Sequence, residues 1–105
     1  KTGYPPYYRL VLITFSHEEV PVVVRGAHVV GDWLRQRIAP TTVLLGPVAS
    51  PIPRVKDRFR FQIMLKYRDE PHLAELLAQA QAAFDEWNKQ QKVLMTIDVD
   101  PYVLL

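Results

Sequence analysis

Three observations in the sequence predict an α+β domain of the order β-α-β-β-α-β, with four antiparallel strands and two helices on one face. Residues 58–68, Arg58-Phe59-Arg60-Phe61-Gln62-Ile63-Met64-Leu65-Lys66-Tyr67-Arg68, alternate between apolar and mostly cationic side chains, broken only at Met64, which is the signature of a strand with one buried face. Two apolar stripes at helical spacing, one beginning near Val20 and one near Leu73, lie on either side of that strand. Strand-like segments also open and close the chain, at Tyr8 to Phe15 and Lys92 to Val99. The order is that of the ferredoxin-like split βαβ arrangement, in which the first and third strands occupy the centre of the sheet.

Tyr4-Pro5-Pro6-Tyr7 cannot be helical, because paired prolines fix φ and exclude α geometry from the residue before each. The first strand, Tyr8 to Phe15, follows with two largely apolar faces, Tyr7/Arg9/Val11/Ile13/Phe15 and Tyr8/Leu10/Leu12/Thr14, a pattern expected of a central strand covered on both sides. Ser16-His17-Glu18-Glu19 reads as a capping box, and Pro21 is tolerated in a first helical turn. Val20, Val23, Val24, Ala27, Val30, Leu34 and Ile38 then recur at helical spacing, predicting a helix from about 18 to 38 that Ala39-Pro40 ends. Against it stand the strand propensity of the valines and a cost of roughly 1 kcal/mol each for Gly26 and Gly31.

Thr42 to Val48 reads as a short second strand, and Pro47, Pro51 and Pro53 predict an extended loop before the basic strand at about 57 to 67. Asp69-Glu70-Pro71 is expected to open the second helix, since acids suit the positive end of the helix dipole and proline its first turn. Leu73, Leu76, Leu77, Ala80, Ala83, Phe84 and Trp87 form its apolar stripe, which should run to about Gln90. In the fourth strand Val93/Met95/Ile97/Val99 alternate against Leu94/Thr96/Asp98, closed by Asp100-Pro101.

At 105 residues the chain, 1–105, is expected to form one domain with a single modest core. The absence of cysteine excludes disulfides and thiolate metal sites and suits a cytosolic setting. Apolar runs such as Val22-Val23-Val24 and Val43-Leu44-Leu45 are too short for a signal peptide or a membrane span, so no membrane partner is expected. Lys1 in place of methionine, together with the apolar close Tyr102-Val103-Leu104-Leu105, suits a module from the end of a longer protein.

Catalytic constellations are scarce. The glycines at 3, 26, 31 and 46 are isolated and none precedes a Lys-Ser/Thr pair, so nucleoside triphosphate chemistry is not expected of this chain. His17, His28 and His72 lack metal-ligand spacing and read as surface or capping residues. Asp98 and Asp100 share a strand face and could pose as a paired-carboxylate or Mg²⁺ site, as in a small enzyme or small-molecule binder, although a turn or an arginine anchor is the expected role. Trp33 and Trp87, on the helical stripes, read as core.

The basicity is local. Residues 54–68 carry Arg54, Lys56, Arg58, Arg60, Lys66 and Arg68 against the single acid Asp57, a charge of +5 in a chain of net +2. A cationic face on a small domain is the footprint of an anionic partner, nucleic acid first among them, although cations on an open sheet also serve solubility alone. Placing Phe59 and Phe61 outward would bury several unpaired charges, so the rings are expected to face the core. That phase is opposite to the RNA-recognition motif, whose third strand offers rings to bases, and it favours phosphate contacts that are salt-dependent and indifferent to sequence.

Tyr4-Pro5-Pro6-Tyr7, Gly46-Pro47 followed by Pro51-Ile52, Arg58-Phe59-Arg60-Phe61-Gln62-Ile63 with Lys66, and Asp98-Val99-Asp100-Pro101 together resemble the C-terminal domain of the bacterial primosomal helicase PriA, primosomal protein N′, over nearly the whole chain. The resemblance implies a non-catalytic fragment of an ATP-dependent DNA helicase that restarts stalled replication forks in the bacterial cytoplasm, close to the nucleoid. ATP, Mg²⁺ and zinc would then belong to upstream parts of the parent and none to this fragment. Forked or single-stranded DNA, the remainder of the helicase, the single-stranded-DNA-binding protein and other primosome proteins are the implied partners. Arg58, Arg60 and Lys66 match the family's arginine-rich strand as candidate DNA-facing groups, and Arg54, Lys56 and Arg68 extend the set by charge. The alternative is a structural and protein-interaction domain that packs on the helicase core with little direct DNA contact.

Overall fold

The computed structural model describes residues 8–55 and 57–99, the backbone alone for 51–55. Its elements are β1 (Arg9–His17), α1 (Val20–Arg35), β2 (Val43–Val55), β3 (Arg58–Tyr67), α2 (Leu73–Trp87), one 3₁₀ turn (Asn88–Gln90) and β4 (Leu94–Val99). The strands form one antiparallel sheet in the order β2-β3-β1-β4, so the first and third strands are central, as the sequence predicts. Both helices cover a single face, and the architecture is the ferredoxin-like one.

The core is the covered face. Val11, Ile13 and Phe15 of β1 and Ile63, Leu65 and Tyr67 of β3 are buried beneath Val23, Ala27, Val30 and Leu34 of α1 and Leu77, Ala80 and Phe84 of α2. The register pairs Ile13 with Ile63 and with Ile97, which sets the inward phase of three strands at once. Phe84 stands 5.8 Å from Phe15 across the helix-sheet seam, tilted at 57°. Asn88 then brackets the approach to β4: its Nδ2 donates to the Val93 carbonyl at 2.8 Å and its Oδ1 accepts the Val93 N–H at 2.9 Å.

Four local expectations are corrected. The first strand runs on through His17, and the helix after it begins only at Val20 and ends at Arg35, inside the expected 18–38. Ser16 is not its cap; Glu19 holds the N-cap position with no side-chain cap, and the Glu19 N–H donates instead to Nδ1 of His17 at 2.9 Å. The proline-rich stretch is not a loop, because β2 continues through it to Val55, with register shifts after Leu45 and after Ala49. An edge strand tolerates this, since a missing N–H on its outer side breaks no ladder bond. Finally, α2 opens at Leu73 and gives way to the 3₁₀ turn after Trp87, so it does not reach Gln90.

Glu70 is not part of the α2 dipole end either. Its Oε1 accepts the Ala39 N–H at 2.8 Å and the Thr42 hydroxyl at 2.6 Å, which pins the α1–β2 connection to the start of α2.

Candidate nucleic-acid interface

The sheet face opposite the helices has no second layer among the described residues, so the expectation that β1 is covered twice does not hold for them; Leu10, Leu12, Thr14 and Ser16 are only half-buried. Cross-strand pairing orders this open face into rows. Lys66 lies between Val43 and Leu10, and Met64 between Leu45 and Leu12, with Asp98 beyond Leu12. Gln62 lies between Val48 and Thr14, with Thr96 beyond, and Arg60 faces Ser16, which in turn faces Leu94. Arg58 sits opposite Val55 at the hairpin end.

The phase of β3 is therefore the expected one, with rings inward and cations outward. The charge is not a continuous row, however. Arg58 and Arg60 form one cationic end and Lys66 with Arg68 the other, about 20 Å apart at the strand rise, with Gln62 and Met64 between them. Among the described residues no carboxylate lies within ion-pair distance of Arg58, Arg60, Lys66 or Arg68; the ion pairs Arg35–Asp32 and Lys89–Glu86 are elsewhere. Uncompensated cations on an unlayered face give a positive potential that an anion can use.

Each end is built differently. At the hairpin end the Arg58 guanidinium is braced on β1: Nη2 donates to the Ser16 carbonyl at 3.0 Å and Nε to the Ser16 hydroxyl at 3.3 Å. A braced guanidinium loses less conformational freedom on meeting a phosphate than a free one does. At the other end the Lys66 ammonium lies 5.0 Å, and the Arg68 guanidinium carbon 5.6 Å, from the centre of the Tyr8 ring. Ser16 and Tyr8 are the partners that sequence reasoning missed. The parity of Tyr8 on β1 was legible, whereas Ser16 was expected to cap the first helix, and the register that sets the two against Arg58, Lys66 and Arg68 was not legible.

Of the other predicted site residues, Arg54 pairs through its backbone with Phe59, while its side chain, Lys56 and Asp100 lie outside the described residues. Asp98 is exposed opposite Leu12. The histidines are not brought together in any metal-holding group: among the described residues no three His, Cys, Asp or Glu side chains are placed to share an ion. Trp33 and Trp87 both pack on the core, the former with the Arg37 guanidinium 4.1 Å over its ring. No described helix is long and apolar enough to cross a membrane.

The open face also carries grease. Tyr8, Val43, Leu45, Val48 and Leu94 are five of the seven large apolar side chains exposed among the described residues, and all five stand on it.

Similarity to known proteins agrees with the fold and adds the family. A designed protein with a ferredoxin fold superimposes with a TM-score of 0.58 over 92% of this chain and 88% of its own, at 14% identity, which speaks for the fold alone. The replication restart protein PriA of Bacillus subtilis is 40% identical over 98% of this chain, and the probable replication restart protein PriA of Deinococcus radiodurans is 32% identical over 70% of it. The chain spans only 13% and 8% of the length of these two relatives. Residues 1–102 match the primosomal protein N C-terminal domain, and the chain belongs to that family.

Proposed function

We propose that this chain is a non-catalytic, DNA-contacting C-terminal domain of a bacterial replication-restart helicase, and that it holds DNA by its phosphates through the open face of the sheet. The observation that carries the reading is the pair of cationic ends on an uncovered face, none of their four described cations neutralised by a described carboxylate. Arg58, Arg60, Lys66 and Arg68 supply the contacts, and Arg54 and Lys56 extend the set by charge. Contacts of this kind position a protein on DNA without reading its sequence, and they weaken steeply with salt.

The same reading puts the motor elsewhere in the parent. ATP, Mg²⁺ and zinc, which the family resemblance implies for the whole protein, are assigned in this reading to other parts of the parent, in keeping with a chain that has no cysteine and only isolated glycines. This domain would act in the cytoplasm, contributing affinity and orientation beside the rest of the helicase and its primosome partners.

One observation favours a second reading, a structural domain that packs on the helicase core: the exposed apolar side chains Val43, Leu45, Val48 and Leu94 share the open face. The salt dependence of oligonucleotide binding separates the two. For the DNA reading, Arg58→Ala with Arg60→Ala lowers the slope of log affinity against log salt by about 1.4 on single strands, at roughly 0.7 per lost phosphate contact. An unchanged slope and affinity in that double variant leaves only the packing role.

A further inference from the structure

The Tyr8 ring and its two cations form a unit that phosphate binding alone does not explain. Phe59, Phe61 and Tyr67 of β3 are all turned to the helix side, so Tyr8 is the ring that the described part of the chain offers on the open face. The pairing of Arg9 with Tyr67 carries Tyr8 to the level of Arg68, one row beyond Lys66 and Leu10. Tyr8 is 45% exposed, and Val43, one row away but across β3 on β2, is 43% exposed. Lys66 and Arg68 crowd the ring at 5.0 and 5.6 Å with no described carboxylate to separate their charges. Two like charges at one ring repel each other, and an anion placed between them relieves that repulsion.

We infer that Tyr8, Lys66 and Arg68 make a site for one unpaired nucleotide of a DNA strand, with the base laid on the Tyr8 ring and its phosphate held between the two cations. The inference rests on the DNA reading above and sharpens it, because it names the strand form. A duplex keeps the faces of its bases inside the stack and can use only the cations. A single strand presents every base face, and an aromatic ring accepts any of them, so the site favours unpaired DNA without choosing a sequence. The two ends of the open face then differ in kind: Arg58 and Arg60 take phosphate alone, whereas the Tyr8 end takes a whole nucleotide.

An abasic strand provides the test, because it keeps the phosphates and removes the bases. Affinities of this chain for a fluorescent oligothymidylate and for an abasic strand of equal length are measured at one salt concentration, for the native sequence, Tyr8→Phe, Tyr8→Ala and Arg58→Ala with Arg60→Ala. Thermal melts followed by circular dichroism confirm that each variant is folded. The expected result is a loss of about tenfold for Tyr8→Ala on oligothymidylate, the scale of one base stacked on a ring, with Tyr8→Phe close to native and no loss on the abasic strand. An equal loss of Tyr8→Ala on both strands would mean that the ring only holds its cations in place, and it would overturn the inference. So would no loss on either strand; if the double arginine variant still weakens both, the phosphate-binding role survives without the nucleotide site. Failure of the native chain to bind either strand sinks both readings.

Discussion

The Trp87 ring of α2 lies on the backbone of α1 at Gly26: a Cβ built on that glycine would stand 3.1 Å from Cζ3 and 3.3 Å from Cη2 of the indole. The sequence offers Gly26 only as a weakness in a helix. In the fold it is the notch that lets the two helices close, with the Phe84 and Trp87 rings 5.9 Å apart and tilted at 41° beside it. Gly31, one and a half turns on, is different, because its added Cβ would meet Ile63, Pro47 and Arg35 only at 3.4 to 3.7 Å, ordinary contact distance.

The two glycines should therefore respond oppositely to the same substitution. Gly31→Ala removes backbone entropy from the unfolded chain and fits, so it should stabilise by about 0.5–1 kcal/mol. Gly26→Ala should lose that gain to displacement of the indole, and Gly26→Val should destabilise by about 1–3 kcal/mol through overpacking. Urea denaturation followed by tryptophan fluorescence reads all three. A Gly26→Ala variant as stable as Gly31→Ala would show that the Trp87 ring is not held against α1.

Gly46 is constrained by its own backbone. Its φ of 101° lies where side chains are rarely accommodated, and an added Cβ would approach the Gln62 carbonyl oxygen to 2.7 Å, a backbone atom with nowhere to swing. The Arg35 guanidinium, itself paired with Asp32, donates to the Gly46 carbonyl and holds the bulge from the helix side. Gly46→Ala should cost about 2 kcal/mol or more, and in an NMR spectrum the amide shifts of Gln62 and Val48 at the centre of the open face should move. A variant with native stability and native shifts would contradict this geometry.

How far the sequence could be read follows from the range of each interaction. The outward cations of β3 were legible because two independent costs agree there: the period-two pattern, and the penalty for burying Arg58, Arg60 and Lys66 unpaired. The strand order followed from the succession of periodicities. The proline stretch misled because Pro47, Pro51 and Pro53 oppose a central strand, whereas an edge strand accepts them, and edge position is a property of the sheet and not of the segment. Ser16 misled for the same reason. Its spacing to Glu19 fits a capping box, but its hydroxyl is engaged by an arginine 42 residues away, a contact no local pattern encodes.

Glu70 shows what such a long-range contact contributes. Losing the carboxylate leaves the Ala39 N–H and the buried Thr42 hydroxyl without their acceptor, so Glu70→Ala should destabilise by about 1–3 kcal/mol. Glu70→Gln keeps an acceptor oxygen in place and should recover most of the loss. Chemical denaturation of the two variants checks the order; equal losses would mean that the charge, rather than the two accepted hydrogen bonds, sets the contribution.

The Ser16–Arg58 brace links stability to the proposed DNA contact. If the hydroxyl capped α1, Ser16→Ala would cost about 1 kcal/mol and fray the helix. In this fold Arg58 retains its 3.0 Å bond to the Ser16 carbonyl after the hydroxyl is removed. Ser16→Ala should therefore cost under about 0.5 kcal/mol, since the bond it deletes is the longer one, and helicity by circular dichroism should not change. Arg58→Lys is the informative partner. It keeps the charge and loses the two-point fork, so the salt slope of DNA binding should stay near native while affinity drops a few-fold through the less ordered side chain. A native affinity for Arg58→Lys would show that charge alone matters at this end of the face, and that the brace on β1 contributes nothing to binding.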